Sequence, residues 1–382
     1  MQSYLDRLYT LRKSTLQYDG DELKLLLARL EGSTQQTDIE IPLINRFFRI
    51  KEDVKKFKDP NFDWKNEESV MKAILERFDM PTWALYRLRG RKELSPELKD
   101  FNDVFVYQTK TCNLRCPYCY VDDDLKDGRK NKNAEFFSIS QILEAFYEER
   151  ERREKVRRER EVDENGRLIL PLNRIRPSGG EPSLVPEQWK NLLEKLEADG
   201  LSKEVYVQSD TNLTTGHFIE FLERKKEIEK GLLQQIGSFK NFGLLASIKG
   251  TDSKNYARNT GVPIKLAEKL VEETLYTLGK YVDSGVDAYP FLYNPNPETL
   301  EEFLDRLKEN LGKNILKKTW VYPLNLYNVT KERLRKIARR RGDNEEEYVR
   351  RYEKEWKENF LRAEEIMRKI NPEYKKVLRV GL

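Results

Sequence analysis

Cys112, Cys116 and Cys119 are the only cysteines in the chain, and they fall within eight residues. Their spacing is C-x₃-C-x₂-C. An odd, tightly clustered set is a poor disulfide framework and reads as a ligand set. Thiolates are soft ligands, suited to zinc or to an iron–sulfur cluster. Zinc in structural sites takes four ligands, and an all-protein four-iron cluster normally takes four cysteines. Three thiolates therefore leave one position open. The single histidine, His217, lies about a hundred residues away in the helix-start pattern Thr214-Thr215-Gly216-His217. A zinc site would have to recruit it, although zinc sites usually draw their ligands in closely spaced pairs. A multi-histidine metal site is impossible, and any Ser-His-Asp or Cys-His arrangement would have to use His217. Either an outside ligand fills the open position or the site does other chemistry.

Three further polar stretches have residue types fit for a ligand. The first is Pro177-Ser178-Gly179-Gly180-Glu181-Pro182-Ser183-Leu184. Its two glycines let the backbone approach a ligand closely and adopt positive φ. Exposed carbonyls and the Glu181 carboxylate would suit an ammonium group. The second is Gln208-Ser209-Asp210-Thr211-Asn212, whose side chains can hydrogen-bond hydroxyls or meet a carboxylate through a bound cation. Asp-Thr-Asn also makes an ordinary turn and helix cap. The third is Ala246-Ser247-Ile248-Lys249-Gly250-Thr251-Asp252, where Lys249 offers a cation. Tyr289 to Asn294 and Tyr322 to Asn325 are as well suited to core and rim packing as to substrate contact.

The elements around these stretches explain why they would converge. Short β-prone runs occur at 104–107, 168–175, 204–208, 242–246, 286–292 and 319–322. Helical patterns at 186–198, 216–234, 265–282 and 297–311 separate them. Ser138 caps a further helix whose apolar face is Ile139, Ile142, Leu143 and Phe146. Strands alternating with helices predict a parallel sheet with right-handed crossovers. In barrel-type sheets the chemistry gathers at the C-terminal ends of the strands. Each polar stretch follows one of these runs. The expected architecture is a partial (β/α)6 TIM-like barrel over 101–330. A mainly helical extension precedes it at 1–100, with helical spacing at 21–30 and 67–78 and a short strand at 37–41. Charged helices follow at 331–382.

Cys112-Asn113-Leu114-Arg115-Cys116-Pro117-Tyr118-Cys119 resembles the signature of the radical SAM superfamily, with an aromatic residue before the last cysteine. Gly179-Gly180-Glu181-Pro182, one β/α unit later, matches that family's GGEP motif. The resemblance implies a [4Fe–4S] cluster held by Cys112, Cys116 and Cys119, with S-adenosylmethionine (SAM) chelating the open iron through its amino and carboxylate groups. One electron then breaks the sulfur–C5′ bond, and the 5′-deoxyadenosyl radical takes hydrogen from a substrate. On this pattern Tyr118 lies near the adenine, and residues Gly179, Gly180, Glu181 and Pro182 hold the amino group. Ser209, Asp210 and Asn212 belong to a stretch similar to the Asp-Thr-Asn-Gly of glycyl-radical-enzyme activases, with Leu213 in place of the glycine. Ser247 and Lys249 stand where activases commonly show Asp-x-Lys. No catalytic residue beyond the cluster and SAM is assigned. An electron donor of the flavodoxin or ferredoxin type is implied.

The composition is compatible with such an enzyme. The chain has 382 residues, 36% charged and 38% hydrophobic, enough for one large α/β domain with extensions. Its net charge of +5 comes from 71 basic and 66 acidic residues, a mixed surface rather than a nucleic-acid face. The run at 148–161 is mainly Glu, Arg and Lys and reads as a solvated helix with i,i+4 pairs. Nucleic acid has no support beyond that run. No long apolar stretch or signal peptide is visible, so no membrane contact and a cytoplasmic location are expected. With no further cysteine, a single-cluster enzyme is expected. The leading substrate class is a protein or another bulky molecule. The alternatives are an enzyme acting on RNA or a small metabolite, a non-catalytic iron–sulfur sensor, and a zinc-stabilised adaptor.

Overall fold

A computed structural model describes residues 2–29, 103–129, 134–160, 169–372 and 374, and the backbone of Arg46–Phe47. The described chain begins with α1 (Gln2–Thr15), β1 (Leu16–Asp19), β2 (Glu22–Ala28) and β3 (Arg46–Phe47). The central alternation follows: β4 (Asp103–Thr109), β5 (Ala134–Ser138), α2 (Ile139–Glu159), β6 (Leu172–Gly179), α3 (Glu187–Ala198) and β7 (Tyr206–Thr211). It continues with α4 (Gly216–Arg224), α5 (Leu232–Ser238), β8 (Phe242–Ile248), α6 (Ser253–Thr260), α7 (Ile264–Asp283) and β9 (Ala288–Tyr293). The last elements are α8 (Pro297–Leu311), α9 (Asn314–Lys318), β10 (Trp320–Tyr322), α10 (Asn328–Arg341) and α11 (Glu345–Ile370).

Among the described residues ten strands form one sheet, ordered β1-β2-β4-β6-β7-β8-β9-β10, with β3 on β4 and β5 on β2. The six strands from β4 to β10 are parallel and follow chain order, with helices between them. This is the expected partial (β/α)6 barrel. β10 pairs only with β9, so the barrel stays open among the described residues. Every residue of β4, β8 and β9 is buried, as strands covered by helices on one face and by the barrel interior on the other must be. Ser138 caps α2 with a full capping box. The C-terminal helices protect the open edge. The Tyr374 hydroxyl accepts from the Val321 N–H at 3.1 Å, and Asn371 Nδ2 donates to the Leu316 carbonyl at 3.1 Å. No helix of the described residues is long and apolar enough to cross a membrane.

Several expectations shift. The helical spacing at 21–30 belongs to strand β2. Leu23, Leu25 and Leu27 also fit a two-residue period, and Gly20 (φ 61) turns β1 back onto β2. β5 was not expected; it pairs with β2 across Leu25↔Phe137 and Leu27↔Glu135. β6 runs on to Gly179, because Arg174 and Arg176 are buried inside the sheet rather than ending it. The helix expected at 216–234 is two, broken where Lys226 (φ 60) and Gly231 (φ 79) turn left-handed. The expected strand at 37–41 and helix at 67–78 lie outside the described residues.

The charged end of α2 is only partly a solvated face. Arg153 is buried, with Nε 2.7 Å from Glu149 and Nη1 paired to Asp103. Glu149 and Asp103 are buried as well. Arg150 and Arg157 pair with Glu204 and Glu154, so this run is occupied by its own protein. Removing one member of a buried ionic group strands its partners, typically costing about 3–5 kcal/mol. Arg153→Met should therefore lower the unfolding free energy by roughly 3 kcal/mol, read as an earlier urea midpoint. An unchanged midpoint would show that this group does not hold α2 to β4.

Candidate functional site

The loops at the strands' C-terminal ends meet around one solvent-open cavity. Cys112, Cys116, Cys119 and Tyr118 line it on one side, and Gly179, Gly180 and Glu181 on another. Asp210, Asn212, Ser247 and Lys249 also face it. Of the residues expected at the site, Pro182 and Ser209 are not part of the lining. Pro182 opens a short 3₁₀ turn behind Glu181. The Ser209 hydroxyl is fully buried, where it donates to the Pro177 carbonyl at 2.9 Å and accepts from Trp189 Nε1 at 2.8 Å. Its role is to fasten β7 to β6.

The glycine pair does something more specific than approach a ligand. Gly180 N–H donates to the Thr109 carbonyl at 2.9 Å, and Glu181 N–H donates to the Thr111 carbonyl at 2.7 Å. A Cβ on Gly180 would sit 1.9 Å from the Thr111 oxygen. Gly179 has φ 97, and its Cβ would lie 2.5 Å from Cβ of Gln108. Only glycine permits this contact between the turn and the residue preceding Cys112. The cysteine segment is held at other points too. Asn113 Nδ2 donates to the Tyr4 hydroxyl (2.7 Å) and to Thr214 Oγ1 (2.8 Å), while its Oδ1 accepts from Asn212 Nδ2 (2.8 Å). Arg115 N–H donates to the Thr260 carbonyl at 3.1 Å.

Glu181 is 2% exposed. It accepts from the N–H groups of Asn212 (2.7 Å) and Ser183 (3.3 Å) and from the Ser183 hydroxyl. Burial outweighs these bonds and pushes its pKa up to about 7. A cation beside it would reverse that shift. Asp210 is engaged by the Arg176 guanidinium at 2.7 and 3.0 Å and by the Ser178 hydroxyl. Leu213 takes φ 59, the left-handed conformation that a glycine there would adopt freely, and its side chain is fully buried. The substitution thus leaves the turn in a glycine-like shape. Lys249 Nζ lies 4.4 Å from the ring centroid of Tyr293 and 5.6 Å from that of Tyr118. The charge is placed over aromatic faces inside the cavity.

The three thiols differ in setting. Burial pushes Cys112 up to about 12, with Glu181 adding to it. Burial also raises Cys116, against the pull of Lys249. Burial also works to raise Cys119, yet Lys126 and Arg333 together hold its thiol below the ordinary range. Neither cation was singled out from the sequence. Lys126 lies in a polar loop and Arg333 more than 200 residues away, so nothing in their spacing marks them.

The donor set fits a four-iron cluster. It offers three soft ligands on one cavity wall, cations to stabilise thiolate charge, and open space beside them. Among the described residues no group of three or more His, Cys, Asp or Glu side chains surrounds a single point as one metal ion requires. A cluster makes no such demand, because each thiolate takes a different iron. His217 does not reach the cysteines. It lies in a separate groove between helices, with Nδ1 bonded to the buried Glu273 carboxylate and its ring stacked 4.0 Å from that of Tyr276. The zinc alternative loses its fourth ligand there.

The family model of the radical SAM superfamily matches residues 106–341. Among solved structures the chain is similar to Streptococcus suis SuiB bound to S-adenosylmethionine, at 18% identity and TM-score 0.37, over 65% of this chain and 46% of that one. SuiB bound to precursor peptide SuiA gives 17% identity and TM-score 0.36, over 63% and 46%. The structure of TYW1 with a lysine-pyruvate adduct bound gives 12% identity and TM-score 0.37, over 88% of each chain. The matched part of SuiB is thus less than half its length. No curated protein matches the chain.

The glycine contact predicts a coupled defect. Gly180→Ala should displace the segment before Cys112, lowering both the urea midpoint and the iron bound per chain after anaerobic reconstitution. Full iron loading at wild-type stability would contradict the contact's role.

Proposed function

Because the chain belongs to the radical SAM superfamily, we propose that it directs the radical made from SAM to abstract hydrogen from a protein or another bulky substrate. Membership implies SAM cleavage to a radical, and the cluster, when bound and reduced, supplies the electron for it. One observation carries the reading for this chain: Cys112, Cys116 and Cys119 line the same cavity as the buried Glu181, whose pKa is pushed up to about 7. In this reading Glu181 receives the ammonium group of SAM, Lys249 faces its carboxylate, and Tyr118 packs near the adenine. Asn212 steadies the turn by donating its backbone N–H to Glu181. Residues 179–181 hold the cysteine segment while the ligand binds. The likeness to glycyl-radical-enzyme activases is supported by Asp210-Thr211-Asn212 at the cavity and by the glycine-like turn at Leu213. A small one-electron carrier of the flavodoxin or ferredoxin type is the donor we propose.

Reconstituted anaerobically with a strong reductant and SAM, the protein should release 5′-deoxyadenosine, and Cys116→Ala should release none. Equal release by that variant would remove the cysteine site from the reaction.

Binding should also depend on pH. Below about 7 the empty site holds a proton on Glu181, which must leave before an ammonium group can bind. SAM affinity should fall by up to about tenfold per pH unit below that value and stay level above it. Glu181→Gln should flatten the profile. A wild-type affinity independent of pH between 5 and about 8 would contradict the assignment.

A further inference from the structure

The C-terminal helices do more than cover the open barrel edge. Arg333, on α10, is 7% exposed and reaches into the end of the cysteine segment. Its Nη1 donates to the carbonyls of Pro117 (3.3 Å) and Cys119, and its Nη2 to the Val121 carbonyl at 2.7 Å. Its Nε donates to Asp123 Oδ1 at 3.1 Å. One guanidinium thus gathers three carbonyls of a single five-residue stretch. A fork of five donors can do this, and the ammonium of lysine cannot cover the same geometry. Asp123 is also paired with Lys126 at 3.3 Å, and the Lys126 carbonyl accepts from the Cys112 N–H at 3.1 Å. The first and last cysteines are therefore tied to one hydrogen-bonded network that α10 completes.

We infer that Arg333 is a positioning residue for the iron–sulfur cluster, fixing residues 117–121 around Cys119 and placing a buried positive charge beside the ligand. Two consequences separate. The fork holds the backbone of the loop, so losing it should make the cluster easier to strip. The charge favours the more negative, reduced state of a nearby cluster, so losing it should make reduction harder. Lysine keeps the charge and loses the fork. Glutamine loses both.

The inference rests on the cluster reading, and the experiment distinguishes the two failures. Wild type, Arg333→Lys and Arg333→Gln are reconstituted anaerobically, with circular dichroism confirming the fold. Iron release to a chelator is then timed, and the reduction potential is measured by electron paramagnetic resonance (EPR) titration. Both variants should release iron several-fold faster than wild type. Only Arg333→Gln should shift its potential to a more negative value. If wild type binds no iron, the cluster reading fails. If wild type binds iron and Arg333→Lys releases it no faster, the positioning role is overturned, even should Arg333→Gln not fold. A potential unchanged in folded Arg333→Gln overturns the role of the charge.

Discussion

Two backbone hydrogen bonds set the geometry on which the site depends, those from Gly180 and Glu181 to the carbonyls of Thr109 and Thr111. They join the ends of two parallel strands, β4 and β6, at the point where the cysteine segment leaves the sheet. The approach is so close that a Cβ on either glycine would collide with β4 or the residues just after it. Once this contact exists, Cys112 and Glu181 must face the same space. The remaining ties act on a segment already in place. Asn113, Arg115 and Arg333 connect it in turn to α1 and the loop after β7, to α6, and to α10. Soft ligands in a loop are held in register by rigid elements on every side, as a metal site requires.

Buried charge is the second organising constraint. Lys110 is fully buried and pairs with Asp127 at 2.8 Å while also donating to the Asp124 carbonyl. Lys126 and Arg333 share Asp123. Three buried cations, Lys110, Lys126 and Arg333, therefore surround the loop that follows Cys119. Two of them, Lys126 and Arg333, explain why Cys119 alone of the three thiols is shifted downward. Glu181 shows the converse. It is a buried carboxylate, and burial raises its pKa against the hydrogen bonds it accepts.

Much of this was legible in the sequence, for identifiable reasons. The alternation of β-prone and helical runs placed all six parallel strands, because each crossover has its own helix period. The cysteine spacing, the Gly-Gly-Glu-Pro stretch and the strand-end location brought most of the expected residues to one cavity. The misses share a cause: tertiary partners override local signals. β2 looked helical because its leucines satisfy two periods at once. β6 seemed to end before Arg176, whose burial depends on a partner a strand away, Asp210. Ser209 looked like a ligand contact, but Trp189 takes its hydroxyl. Arg333 could not be read at all, since its meaning lies in carbonyls more than 200 positions earlier.

SAM is the ligand we propose for the open position of the three-cysteine site. The most direct test is the EPR spectrum of the reduced, iron-loaded protein recorded without and with SAM. Direct coordination should change the line shape and principal values on addition of SAM, because the electronic environment of one iron changes. That change should be lost when S-adenosylhomocysteine lacking its amino group replaces SAM. A spectrum indifferent to saturating SAM, in protein loaded with about four irons, would contradict the claim.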